Sequence, residues 1–195
     1  MPILKQEIDL HPPSLFESSR PPWQVAYVRS RHEKALARYL LRHDIPFYLP
    51  QYLQEKRADT RRRAASLPLF PSYVFLPVSA SQRRKSLESN LIVRLIEVFD
   101  QTQLHRELTG LWELQISGAP LVPHPYLEVG HEVDVVSGPL KGCRGTIQRN
   151  HGQLKLVVSV TLLRRSVAAT LDREAVVPVA LPSQGARLTR SSAAI

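Results

Sequence analysis

The stretch APLVPHPYL, residues 119–127, divides the chain into two parts that follow different hydrophobic periodicities. Pro120, Pro123 and Pro125 recur within six residues. Proline donates no backbone N–H and holds φ near −65°, so this segment is expected to be a stiff, extended linker unable to pair in a sheet. Upstream, helical spacings alternate with short strand-like runs. Ser30 and Glu33 have the spacing of a capping box, so a helix is expected from Arg31, with Leu36, Tyr39 and Leu40 on one face. Ser79 and Gln82 repeat that spacing before a short basic helix, Arg83 to Ser89. Leu104, Leu108, Leu111 and Trp112 then mark a final amphipathic helix. WQVAYVRS from Trp23, PFYLPQYL from Pro46, Ser72 to Leu76, and LIVRLIEVF from Leu91 read as strands between them. That order predicts an α+β unit, an antiparallel sheet with helices on one face.

Downstream, helical spacing gives way to EVDVV, GTIQ, KLVVSV, VAATL and AVVPV, separated by SGPLKG, NHG, RR and DRE. Short strands at such spacing predict a small all-β barrel. The expected organisation is a flexible arm at 1–21, a first domain at 22–118, a linker at 119–127, the barrel at 128–180 and a flexible tail at 181–195.

Lys plus Arg number 26 against 17 Asp plus Glu, a net charge of +9 that favours a polyanionic partner. The densest segment is KRADTRRRAA, where Lys56, Arg57, Arg61, Arg62 and Arg63 surround one acid. It lacks apolar periodicity and reads as an exposed loop that contacts a phosphate backbone. Arg83, Arg84 and Lys85 form a second basic group. The single cysteine, Cys143, excludes an intramolecular disulfide, and the seven histidines show no metal-ligand spacing. Gly138, Gly142 and Gly145 lack the Lys-Ser/Thr ending of a phosphate loop and read as turn glycines. No catalytic constellation, metal site or cofactor is expected. Neither a leader nor an apolar run of membrane-spanning length is apparent, so a cytoplasmic protein without membrane contact is expected.

LPLFPSYVFLP, Leu67 to Pro77, is the densest aromatic-proline segment. Strand alternation places Tyr73 and Phe75 on one face, Val74 and Leu76 on the other. One face can meet the domain's helices, which leaves the other in need of a cover.

With WQVAYVRSRHEK and IPFYLP, that segment makes the first domain resemble the N-terminal domain of NusG-type transcription elongation factors. EVGHEVDVVSGPLKGCRGTIQ resembles a KOW module, with Gly142 at its key glycine. The continuation KLVVSVTLLRRSVAATLDREAVVPV is similar to the UpxY-type branch of NusG and RfaH relatives. The resemblance spans roughly residues 23–180 and implies an SH3-like KOW barrel. It implies a transcription elongation and antitermination factor that docks on the clamp region of RNA polymerase. The implied docking residues are Tyr27, Phe70, Tyr73 and Phe75, with Trp23 and Tyr48 as secondary candidates. Arg29 and Arg31 lie where relatives touch non-template DNA. Leu162, Leu163 and Arg165, in LLRR, match the loop that binds a ribosomal small-subunit protein or the termination factor Rho. A monomer without a cofactor is implied. Ser72 replaces the glycine of the common F-P-G-Y form, and Leu163 replaces a frequent aromatic. A ribosome- or RNA-binding KOW protein remains the alternative reading.

Overall fold

A computed structural model describes residues 13–16, 21–58, 61–124, 131–150, 153–171 and 176–178. The rest of the expected arm, the expected tail and linker residues 125–127 lie outside the described residues.

The first sheet has three antiparallel strands in the order β4 (Tyr73–Pro77), β1 (Trp23–Val28), β5 (Ile92–Ile96). On one face Ala26, Val28, Val74 and Leu76 meet Leu36, Ala37 and Leu40 of α1 (Glu33–Arg42). Beyond it, α2 (Ala80–Leu87) is tied to α1, since the Tyr39 hydroxyl donates to the Lys85 carbonyl at 3.1 Å. The other face is also covered. Trp23, Val25 and Phe75 join Leu104, Leu108, Leu111 and Leu114 of α3 (Gln101–Ile116) in a second core. Full burial of each leucine contributes about 1.5–3 kcal/mol. The expectation of helices on one face is therefore corrected, because helical periodicity identifies an apolar stripe but not which side of a sheet receives it.

Only one expected capping box forms. Ser79 accepts from the Gln82 N–H while the Gln82 side chain accepts from Ser79 N–H. At α1, His32 is the N-cap and gives no side-chain cap. Glu33 is buried and instead accepts from the Ser72 N–H at 2.7 Å.

The basic segment is not a loop. β2 (Gln51–Ala58) and β3 (Arg61–Pro68) form a separate two-stranded antiparallel ribbon, with Gln51 opposite Pro68 and Ala58 opposite Arg61. Its sequence carries no apolar–polar alternation, so nothing advertises the strands. The base is fastened: Lys34 Nζ donates to the Ser66 carbonyl at 2.7 Å, and Leu69 N–H to the Pro50 carbonyl at 2.8 Å. Part of the arm is fastened too. Residues 13–16 form a 3-10 turn in which Leu15 is buried and Phe16 stacks on Trp112 at 5.7 Å.

The remaining strands form one six-stranded antiparallel sheet. It contains β6 (Leu121–His124), β7 (His131–Val135), β8 (Arg144–Asn150), β9 (Gln153–Val160), β10 (Arg165–Leu171) and β11 (Val176–Pro178). Their order is β11-β7-β8-β9-β10-β6, and among the described residues no pairing closes β11 onto β6. The expected barrel is thus an open sheet here. Four residues of the proline segment pair with β10, with Pro123 opposite Val167. β6 is an edge strand, where a missing N–H leaves no central ladder bond unmade.

Candidate functional site

The alternation of β1 against β4 builds the aromatic surface. Trp23 lies opposite Pro77, Val25 opposite Phe75 and Tyr27 opposite Tyr73. The first turn of α3 clamps the Trp23 end. Trp23 N–H donates to Gln101 Oε1 at 2.7 Å, and Gln101 Nε2 donates to the Trp23 carbonyl at 2.8 Å. Tyr48 is equally enclosed; its hydroxyl donates to Gln115 Oε1 at 3.0 Å, and burial pushes its pKa well above the usual tyrosine value. At the opposite end of β1, Tyr27 and Tyr73 are half-buried, with ring centroids 5.5 Å apart.

The four expected docking aromatics therefore separate. Phe70 and Phe75 are 1% and 0% exposed and pack edge to face at 5.9 Å. As described, they do not reach the surface, because Phe75 faces α3 and Phe70 closes over it. Of the four, only Tyr27 and Tyr73 are partly exposed.

Arg29 and Arg31 are exposed beside this pair. Arg29 N–H donates to the Leu91 carbonyl at 3.3 Å, and Arg31 has φ 63°, a left-handed conformation costly for a side chain with a Cβ. The Glu33 bond to Ser72, itself at φ 70°, pins this turn to the one that precedes Tyr73. Two tyrosines and two arginines so share one end of the sheet. The sequence reasoning missed Arg94, which lies opposite Tyr27 on β5, exposed, with Cζ 5.5 Å from the Tyr27 ring centroid. A lone cation inside the apolar run LIVRLI was its signal. A guanidinium over a ring face is attracted by the ring quadrupole.

Arg61, Arg62 and Arg63 lie on β3, at the end of the ribbon far from its fastened base. This ribbon is a sheet separate from the one that carries the tyrosine pair.

The expected turn glycines divide by mechanism. Gly138 and Gly142 have φ 79° and 92° with open space about them. Gly142 N–H donates to the Val135 carbonyl at 2.8 Å, closing the β7–β8 connection. Gly145 is in β8 rather than a turn, and a Cβ there would meet the Val157 carbonyl oxygen at 2.8 Å.

Leu162, Leu163 and Arg165 surround the short 3-10 turn Thr161–Leu163. Leu162 is 39% exposed and Arg165 is exposed, whereas Leu163 packs against the core. Preceding them, Thr161 donates from Oγ1 to Glu107 Oε1 at 2.6 Å and from its N–H to Glu107 Oε2 at 3.1 Å. Glu107 is on α3, so this loop is bound to the helix that covers the first sheet. Burial raises the Glu107 pKa, outweighing the Thr161 bonds that lower it. Burial, aided by the Glu113 charge, likewise pushes the Cys143 thiol to about 11. Among the described residues, no group of three or more His, Cys, Asp or Glu is arranged to hold a metal. No helix there is long and apolar enough to cross a membrane.

No curated protein matches the chain. Among solved structures, one titled "Domain interaction in Thermotoga maritima NusG" is similar over 80% of this chain and 95% of its own, at 17% identity and a TM-score of 0.40. The aromatic sheet, the ribbon and the first five residues of α3 fall in one segment, residues 21–105, that matches the family model described as transcription termination factor NusG.

Proposed function

We propose that this chain is a non-enzymatic transcription elongation and antitermination factor of the NusG and RfaH kind. It acts by contact with the clamp region of RNA polymerase. The observation that carries this reading is the tyrosine pair, half-exposed at one end of a rigid sheet, within the segment that matches the NusG family model. Rigid aromatic anchors are typical high-energy contacts of protein interfaces. In this reading Phe70 and Phe75 support Tyr73 from beneath, and Tyr27 and Tyr73 make the contact. Arg29 and Arg31 meet the non-template strand, while Arg61, Arg62 and Arg63 add phosphate contacts. The Leu162–Arg165 loop recruits a further partner, a ribosomal small-subunit protein or Rho.

Capture of core bacterial RNA polymerase by the wild type and by the Tyr27→Ala/Tyr73→Ala variant tests the reading. Loss of two interface aromatics at about 2 kcal/mol each weakens binding by roughly two to three orders of magnitude. Equal capture by both proteins, or capture by neither, refutes the docking assignment. Capture of ribosomal particles in place of polymerase favours the ribosome- or RNA-binding alternative.

A further inference from the structure

Phe16 sits among four rings drawn from three parts of the fold. Its ring centroid lies 6.1 Å from that of Trp23 on β1 and 5.6 Å from that of Tyr48. His105 and Trp112, on one stripe of α3, lie at 6.2 and 5.7 Å. Leu15 beside it is 3% exposed. These rings are positioned by the folded domain itself. Tyr48 exchanges backbone hydrogen bonds with Phe75 at 2.7 and 3.0 Å, and its hydroxyl is held by Gln115. Trp23 Nε1 donates to His105 Nδ1 at 3.4 Å. Among the described residues, by contrast, no hydrogen bond ties Leu15 or Phe16 to the sheet or to α3. Apolar contact anchors them.

We infer that this ring-lined face is a docking site for a short segment of another protein that presents a leucine followed by an aromatic residue in one turn. In the free chain Pro13–Phe16 occupies the site as a displaceable strap. The seated turn itself defines the chemistry of the occupant. After the aliphatic side chain comes a ring that stacks on Trp112 at 22° and meets Tyr48 edge-on at 87°. Stacked and edge-to-face contacts add to the gain from area burial and are geometrically selective. The burial of two side chains opposes the entropy lost in ordering the turn that carries them, and these terms are of similar size. A strap held in this way opens locally while the sheet beneath stays folded. His105 and Trp112 are partly exposed even with the turn seated. Its departure joins them to Trp23 and Tyr48 in one aromatic patch, and exposed patches of that kind mark protein interaction sites. Residues 17–22 are a short tether, so the strap competes at high effective concentration and a partner must outbid it. The site lies at the opposite end of β1 from Tyr27 and Tyr73 and does not depend on the polymerase contact.

Fluorescence anisotropy of a labelled peptide of residues 10–20, LHPPSLFESSR, tests the site on the full chain and on its Leu15→Ala/Phe16→Ala variant. In the wild type the tethered turn competes, so the variant is expected to bind the peptide about tenfold more tightly or better. A peptide with alanine in place of its leucine and phenylalanine at 15 and 16 should bind neither protein. The chain's two tryptophans, Trp23 and Trp112, both neighbour Phe16. Their emission should shift in the variant and return towards the wild-type spectrum as the peptide is added. No binding of the peptide to the folded variant overturns the docking site, and equal binding of both peptides overturns the leucine–aromatic selectivity. Limited proteolysis of the wild type is independent of whether the variant folds. Chymotrypsin should cut after Phe16 well before it cuts within β1 or α3, and loss of all three at one rate overturns the strap. Light scattering that shows wild-type dimers and a monomeric variant would assign the site to the arm of a second copy and overturn the assignment to another protein.

Discussion

Substitution of Gly145 by alanine isolates a steric demand that the two positive-φ glycines do not share. The alanine Cβ would stand 2.8 Å from the Val157 carbonyl oxygen and 3.0 Å from Leu156 Cδ1. The first neighbour is backbone, in the β9 ladder opposite Thr146, so it cannot rotate away as a side chain tip would. Overpacking of this kind costs about 1–3 kcal/mol. If the chain unfolds as one unit of this size, Tm falls by roughly 2–4 °C per kcal/mol, a total of about 2–12 °C. Gly138→Ala costs a comparable 1–2 kcal/mol, roughly, but through its left-handed backbone at φ 79° with nothing nearby to clash. Asparagine separates the mechanisms, because it tolerates the left-handed region better than alanine yet is larger. Thermal unfolding followed by circular dichroism should rank Asn above Ala at 138 and below Ala at 145. The same ranking at both positions would refute the distinction between conformational and steric need.

Three further outcomes are expected. Ser72→Gly relieves a φ of 70° while leaving the N–H that Glu33 accepts, and should raise stability by about 0.5–1 kcal/mol after the extra chain entropy of glycine is subtracted; urea unfolding measures it. Cys143 is 2% exposed with its thiol pushed up to about 11, so a disulfide reagent at pH 8 should label it only in unfolded protein, and rapid labelling under native conditions would contradict the packing. Burial raises the Glu107 and Glu113 carboxyls above their ordinary 4.5, so the folded state holds these protons more tightly than the unfolded one. Their contribution is fully present below about 4.5 and is lost as pH rises through the raised values; Glu107→Gln should flatten that part of a stability–pH curve.

What could be read from the sequence follows from where each signal originates. Leu104, Leu108 and Leu111 announced α3 because a long apolar stripe is a local pattern. Its position on the Phe75 side was not local, and that position buried half of the expected aromatic surface. The five downstream runs were recognisable as strands from β-branched composition and turn residues, but the openness of their sheet depends on long-range pairing. Ser30 and Glu33 illustrate a spacing overridden by tertiary demand: the carboxylate that would cap a helix serves a distant backbone N–H instead. The ribbon was hidden because QEKRA and RRRAAS lack the apolar–polar alternation by which strands are found. Arg29, Arg31, Tyr27 and Tyr73 are near one another in the chain or by β1–β4 pairing, while Arg94 needed the β1–β5 register to join them.

Helix α3 touches both sheets, and at Gly110 it passes the second one without a side chain: a Cβ there would lie 3.7 Å from the Arg144 carbonyl oxygen and 3.9 Å from Val158 Cγ1. That gap admits one methyl group at ordinary contact and nothing larger. Position 110 therefore behaves as a spacer setting between the two halves. Alanine should leave their separation unchanged, whereas valine or leucine would act as a wedge, prising the six-stranded sheet from the helix while the leucine stripe beneath Trp23 and Phe75 stays intact.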